Sequence, residues 1–165
     1  MNNFTSNRQK TVQLTQAAII AALYIALTFI ANALGLSNFA VQVRFSESLT
    51  ILPYFTKASI PGLFIGCLLS NILTGCALPD IVFGSLATLL GTLITYALRK
   101  SKWLAPIGPI ISNTIIIPFV LLYAYGIRPL WFSFVTVAAG EIISCGLLGM
   151  FLLFSLEKYR RVLFP

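Results

Sequence analysis

The 165-residue chain contains no histidine and only four acidic residues, Glu47, Asp80, Glu141 and Glu157, against eleven basic ones. The missing imidazole removes the commonest general base and transition-metal ligand. Three cysteines, Cys67, Cys76 and Cys145, are odd in number and too scattered for a metal motif or a disulfide framework. No glycine-rich loop ending in Lys-Ser/Thr is present, which excludes ATP hydrolysis at a Walker-type site. With acids this sparse, no catalytic constellation emerges, and no metal or other cofactor is expected. Charge as a whole is scarce, 9% of residues, where soluble domains run near about a quarter.

What is present is apolar: 58% of residues are hydrophobic and the mean hydropathy is +0.94. This is an all-α membrane protein by composition, and its length allows a single integral domain, 1–165. Six spans are predicted, at 12–33, 46–57, 59–77, 80–98, 104–125 and 130–156. The first run is too long for a signal-peptide core and has no cleavage pattern after it, so it reads as a permanent span. The net charge of +7 lies singly or in short clusters between apolar runs, the pattern of membrane topology, and no nucleic acid partner is expected. Placing Arg8, Lys10, Lys57, Arg99, Lys100, Lys102, Lys158, Arg160 and Arg161 inside leaves Arg44 and Arg128 outside, which predicts both termini cytoplasmic.

The second span is anomalous. Twelve α-helical residues reach only about 18 Å, short of the hydrocarbon thickness. Either FAVQV (39–43) extends it, or neighbouring helices shelter a short one; irregular backbone at membrane depth survives only inside the protein or along a cavity. Both options turn this region towards the bundle.

Ionisable groups at membrane depth are functional candidates by default. Glu141 lies about 15 Å into the last span and reads as a ligand-contacting carboxylate or a buried packing pair. Arg44 and Glu47 stand three apart and can pair on a helix that Ser46 could cap. Asp80 follows Pro79, where a helix cap or contact with a ligand is expected. Asn71 and Asn113 can cross-link helices or read a ligand edge. Tyr123, Tyr125 and Trp131 fall where an interfacial aromatic belt is expected, and one of them could stack on a flat ligand. Glu157, beside Lys158, reads as a solvated flank. Small-residue ladders at Gly62, Gly66, Ser70 and at Ala87, Gly91, Thr95 suit close helix packing. The ladder Ala18, Ala22, Ala26 could pack internally or dock another membrane protein.

The runs VRFSESLTILPYF, IPGLFIGCLLSNILTG and DIVFGSLATLLGTLITY, covering Val43 to Tyr96, resemble the QueT family. These are substrate-binding (S) components of energy-coupling factor (ECF) importers, associated with queuosine precursors. The resemblance implies a six-helix S-component fold in the prokaryotic plasma membrane, an outward pocket near the ends of the later helices, and a cap from the loop joining the first two spans. It implies as partners the membrane scaffold subunit EcfT and two cytoplasmic ATPases, with Ala18, Ala22 and Ala26 docking the scaffold and the whole subunit toppling to deliver its solute. It implies a 7-deazaguanine substrate (preQ0, preQ1 or queuine). From their depth in the bilayer rather than from the family's motifs, Glu141 with Glu47 or Asp80 would accept the ring and amine donors, Asn71 or Asn113 would read the carbonyl edge, and Arg44, Trp131 and Tyr123 complete the expected site. Competing readings are an S component for a pterin or vitamin, a self-sufficient proton-coupled carrier using Glu141 as relay, and a non-transporting scaffold.

Overall fold

The computed structural model describes residues 3–36 and 43–164; the FAVQV extension apart from Val43, and the bulk of the capping loop, lie outside the described residues. All the regular structure described is helical. Helix α1 runs Asn3–Ala33, α2 Ser59–Leu73, α3 Asp80–Ala97, α4 Ile107–Tyr125, α5 Leu130–Glu157 and the terminal turn α6 Arg160–Leu163. Four segments are long and apolar enough to cross a bilayer: Asn7–Ala33, Asp80–Ala97, Lys102–Tyr125 and Leu130–Glu157. The 15-residue α2 is apolar but shorter.

The anomalous second span is a ten-residue 3-10 helix, Phe45–Tyr54. A rise of about 2.0 Å per residue carries ten residues across about 20 Å, where an α-helix of that length covers about 15 Å. Three residues per turn also eclipse Glu47, Thr50 and Pro53 on one ridge, and all three are buried. Ile51 is fully buried within a core of Ile20, Tyr24, Leu49, Leu52, Leu63, Cys67 and Leu153. The segment packs against α1, α3 and the middle of α5, so its neighbours shelter it. Ser46 does not cap it: Arg44 occupies the cap position without a side-chain bond, and the Ser46 hydroxyl is buried inside the first turn.

The small-residue ladders have a packing explanation. A Cβ on Gly62 would meet the Ala17 carbonyl oxygen at 2.6 Å, and one on Gly66 would meet Tyr24 Cβ at 2.8 Å, so α1 and α2 are in backbone contact. Ala17 and Ala21 face α2, whereas Ala18, Ala22 and Ala26 are exposed. Gly91 makes the corresponding contact with Pro109 between α3 and α4. Helix α2 stops four residues before the predicted end of its span because Gly75, at φ 73°, turns the chain and lets Cys76 donate to the Asn71 carbonyl. Gly126, at φ 68°, ends α4 in the same way. At the far end, Glu157 pairs with Lys102 at 3.9 Å rather than with its neighbour Lys158, a half-exposed contact of under about 1 kcal/mol.

Candidate functional site

A cavity of about 350 Å³ opens at the end of the bundle where α1, α2 and α4 finish and α3 and α5 begin. Its polar wall comes from Thr28 and Asn32 of α1, Arg44 at the start of the 3-10 segment, Asn71 and Thr74 of α2, and Asp80 of α3. Ala31, Leu121 and Ile127 form the apolar wall, with Ile127 carried there by the Gly126 turn. Volume and lining suit a small flat molecule held by a few convergent polar groups.

Asp80 is not a cap; Pro79 occupies that position and no side-chain bond closes the helix end. Its side chain is 4% exposed. Oδ2 accepts from the Tyr125 hydroxyl at 3.2 Å, while Oδ1 is buried with no hydrogen-bond partner among the described residues. The first turn of α3, Asp80–Gly84, is widened into a π-turn, a distortion frequent at functional sites. Gly84 leaves open the space beside Oδ1, since a Cβ there would lie 3.2 Å from it. Tyr125 also accepts from the Ala77 amide at 3.1 Å, so one phenol ties the α2–α3 turn to α4. A Tyr125→Phe variant is therefore expected to lose about 1 kcal/mol, read as roughly 2–4 °C in Tm in detergent. An unchanged Tm would show that this latch carries no stability.

Beneath the cavity lies a chamber of about 20 Å³, the size of one water. Arg44 borders both spaces, and Glu47, Asn113 and Glu141 line the lower one. Asn113 Nδ2 donates to Glu141 Oε1 at 2.9 Å and, more weakly, to Glu47 Oε2 at 3.5 Å. Glu47 Oε1 accepts from the Tyr24 hydroxyl. Glu141 Oε2 accepts from Cys145 Sγ at 3.1 Å, one turn onwards, where α5 widens through Ile142–Gly149. Ligating atoms of Glu47, Glu141 and Cys145 lie within 4.8 Å of one another, but the protein's own donors already engage all four carboxyl oxygens. The arrangement is a closed hydrogen-bonded cluster rather than an open coordination site. The expected Arg44–Glu47 ion pair does not form; among the described residues the one ion pair is Lys102–Glu157. Tyr24 and Asn113 serve Glu47 in its place.

The sequence-predicted residues thus divide into three groups. Arg44, Asn71 and Asp80 meet in the open cavity. Glu47, Asn113 and Glu141 meet one layer below it. Trp131 and Tyr123 line neither space and are 67% and 81% exposed. Sequence reasoning missed Thr28, Asn32, Thr74, Leu121 and Ile127 of the open cavity, and Tyr24 and Cys145 of the layer below. Tyr24 carried a signal, a tyrosine in mid-span instead of at the interface where such residues concentrate.

No solved structure matches the chain. Over 82 residues, half of the chain, it is 37% identical to the queuosine precursor transporter QueT of Lactococcus lactis subsp. cremoris (strain MG1363). The matched stretch spans about half, 48%, of that protein's length. The family model for the QueT transporter matches residues 14–158, nearly the whole apolar region that builds both cavities. With that match, the all-helical fold and four apolar helices of crossing length, this multi-pass membrane protein belongs to the QueT transporter family.

Proposed function

We propose that the chain captures a queuosine precursor, a 7-deazaguanine, in the cavity of about 350 Å³, and that this cavity opens outside the cell membrane. The observation that carries the reading is the pairing of a guanidinium, a carboxylate and a carboxamide with an apolar wall in one cavity of a QueT-family chain. Arg44 suits the carbonyl oxygen of such a base, Asn71 offers both donor and acceptor, and Leu121 and Ile127 cover the ring. Glu47, Asn113 and Glu141 line the chamber beneath, which Arg44 also borders, and are positioning residues in this reading, where the sequence favoured Glu141 as the direct contact.

The same reading makes the chain an S component with six membrane crossings, the 3-10 segment and α2 supplying the second and third. The positive-inside rule places the Lys102–Glu157 end in the cytoplasm, together with both termini. In this reading two cytoplasmic ATPases supply the energy through the scaffold EcfT, and this chain, with no Walker-type loop, contributes none of it. The exposed Ala18, Ala22 and Ala26 leave α1 open to close approach by the scaffold, and toppling delivers the base.

Thermal unfolding of the purified chain with deazaguanines, guanine, pterins and vitamins tests the substrate. A ligand at one hundred times its Kd adds about 2.7 kcal/mol of apparent stability. A shift with a deazaguanine supports the reading; a shift with a pterin or vitamin alone moves the chain to another heterocycle. Uptake into liposomes by this chain without ATPases would favour a self-sufficient carrier, for which the Glu47–Asn113–Glu141 cluster is the specific observation.

A further inference from the structure

We propose that the end of the bundle opposite the cavity holds one anionic phospholipid, its phosphate against Arg99 and Lys100 and an acyl chain along Trp103, Phe154 and Phe151. The turn from α3 to α4 carries Arg99, Lys100, Lys102 and Trp103, and it lies beside the last turns of α5. The Trp103 and Phe154 rings meet edge to face at 5.5 Å, and the Lys102 ammonium stands 5.3 Å over the Phe154 ring. Lys102 also pairs with Glu157, whose other oxygen accepts from the Tyr54 hydroxyl at 3.5 Å, so the acid of this surface is already engaged. Arg99, Lys100 and Lys158 are exposed and, among the described residues, in no ion pair. The Arg99 guanidinium lies 4.1 Å over the Tyr96 ring, which holds it at the turn.

Trp103 is 66% exposed where the basic turn meets the apolar surface, the level of an interfacial belt. Leu147, Phe151, Phe154 and Lys158 are all exposed and follow one another at steps of four, three and four, a single stripe along α5. At about 1.5 Å per residue that stripe is about 16 Å long, close to one leaflet of a hydrocarbon core about 30 Å thick. A basic head, an aromatic collar and an apolar track of one leaflet's length repeat the order of groups in a phospholipid. The unpaired cations select an anionic headgroup. Bulky side chains along the track disfavour a partner helix, because close helix approach in lipid uses small residues.

The test is the Tm of the full chain in detergent, titrated with phosphatidylglycerol and with phosphatidylcholine of the same acyl chains. The wild type is expected to be stabilised by phosphatidylglycerol at a concentration at least about tenfold lower, and Arg99→Gln/Lys100→Gln to cut that ratio below about threefold. An Arg8→Gln/Lys10→Gln chain loses two exposed charges at the same end but off the stripe, and is expected to keep the ratio. Trp103→Ala removes the collar and leaves the charges, and is expected to weaken both lipids alike by about threefold or more. Equal action of the two lipids on the wild type overturns the proposal and leaves the surface to an acidic protein partner. A ratio that Arg99→Gln/Lys100→Gln does not reduce, or that Arg8→Gln/Lys10→Gln reduces as much, overturns it too, because the charge is then read diffusely. Unchanged binding in Trp103→Ala overturns the track. Glycerol phosphate, the head without the tails, is expected to leave the Tm within about 1 °C; stabilisation matching the lipid's would make this a free-anion site and overturn the lipid.

Discussion

An Arg44→Met chain is expected to bind a 7-deazaguanine about ten- to a hundredfold more weakly than the parent. Arg44 is shared by the open cavity and the chamber below, so it stands between Asp80 on one side and Glu47 and Glu141 on the other. Methionine keeps an apolar stem of comparable reach but removes the guanidinium, leaving buried acids without their cation. In the proposed complex Arg44 donates to the base carbonyl, and losing a hydrogen bond from a charged group costs about 1.5–3 kcal/mol, which corresponds to about one to two decades in Kd at about 1.4 kcal/mol per decade. Arg44→Lys keeps the charge but loses the planar fork, and recovers only part of the affinity. Titration calorimetry on both variants checks this, with the Tm of each establishing that it is folded. Parental affinity in a folded Arg44→Met would place the ligand outside this cavity.

A Gly66→Val chain loses roughly 10 °C in Tm. Its Cβ would meet Tyr24 Cβ at 2.8 Å and the Ala21 Cα and carbonyl oxygen at 3.1 Å, so α1 must move away from α2. Overpacking of this kind costs about 1–3 kcal/mol. Moving Tyr24 also withdraws the hydroxyl from Glu47, and an orphaned buried acceptor adds about 1–3 kcal/mol more. A helix-packing contact thus reaches the polar cluster through one side chain. Gly146→Ala is the control: the added methyl meets nothing nearer than 3.7 Å, and the Tm should stay within about 1 °C. Adding Tyr24→Phe to Gly66→Val should cost less than the sum of the single changes, because both act on the Tyr24–Glu47 bond. A Gly66→Val chain that melts with the parent would show that α1 shifts at no cost.

The candidate site was partly legible, because acids and amides are rare enough in this chain that each one drew notice. Asp80, Glu47, Asn113, Asn71, Arg44 and Glu141 were all marked by their depth in an apolar sequence. Their pairing was not legible. The i, i+3 spacing of Arg44 and Glu47 suggested a local ion pair, yet Glu47 bonds to Tyr24 and Asn113, 23 and 66 residues away. Glu141, the most prominent acid in the sequence, is enclosed by Asn113 and Cys145, and the carboxylate with a free oxygen is Asp80. Trp131 and Tyr123 were marked by their type and position near a helix end, features that a lipid-facing aromatic shares with a ligand-stacking one.

The bilayer as solvent, the helical class and the family were all readable from the chain's wording. Those properties depend on composition, on runs of apolar residues and on local wording such as VRFSESLTILPYF, none of which requires knowing what touches what. That the second segment is a sheltered 3-10 helix, and that the polar residues separate into an open cavity and a closed cluster, follows from the packed fold alone. The reason is geometric. Which side chain meets which depends on the rotation of each helix about its axis and its offset along it, and contacts far apart in the chain set both. The Gly66–Tyr24 approach and the Tyr125–Asp80 bond are two such contacts.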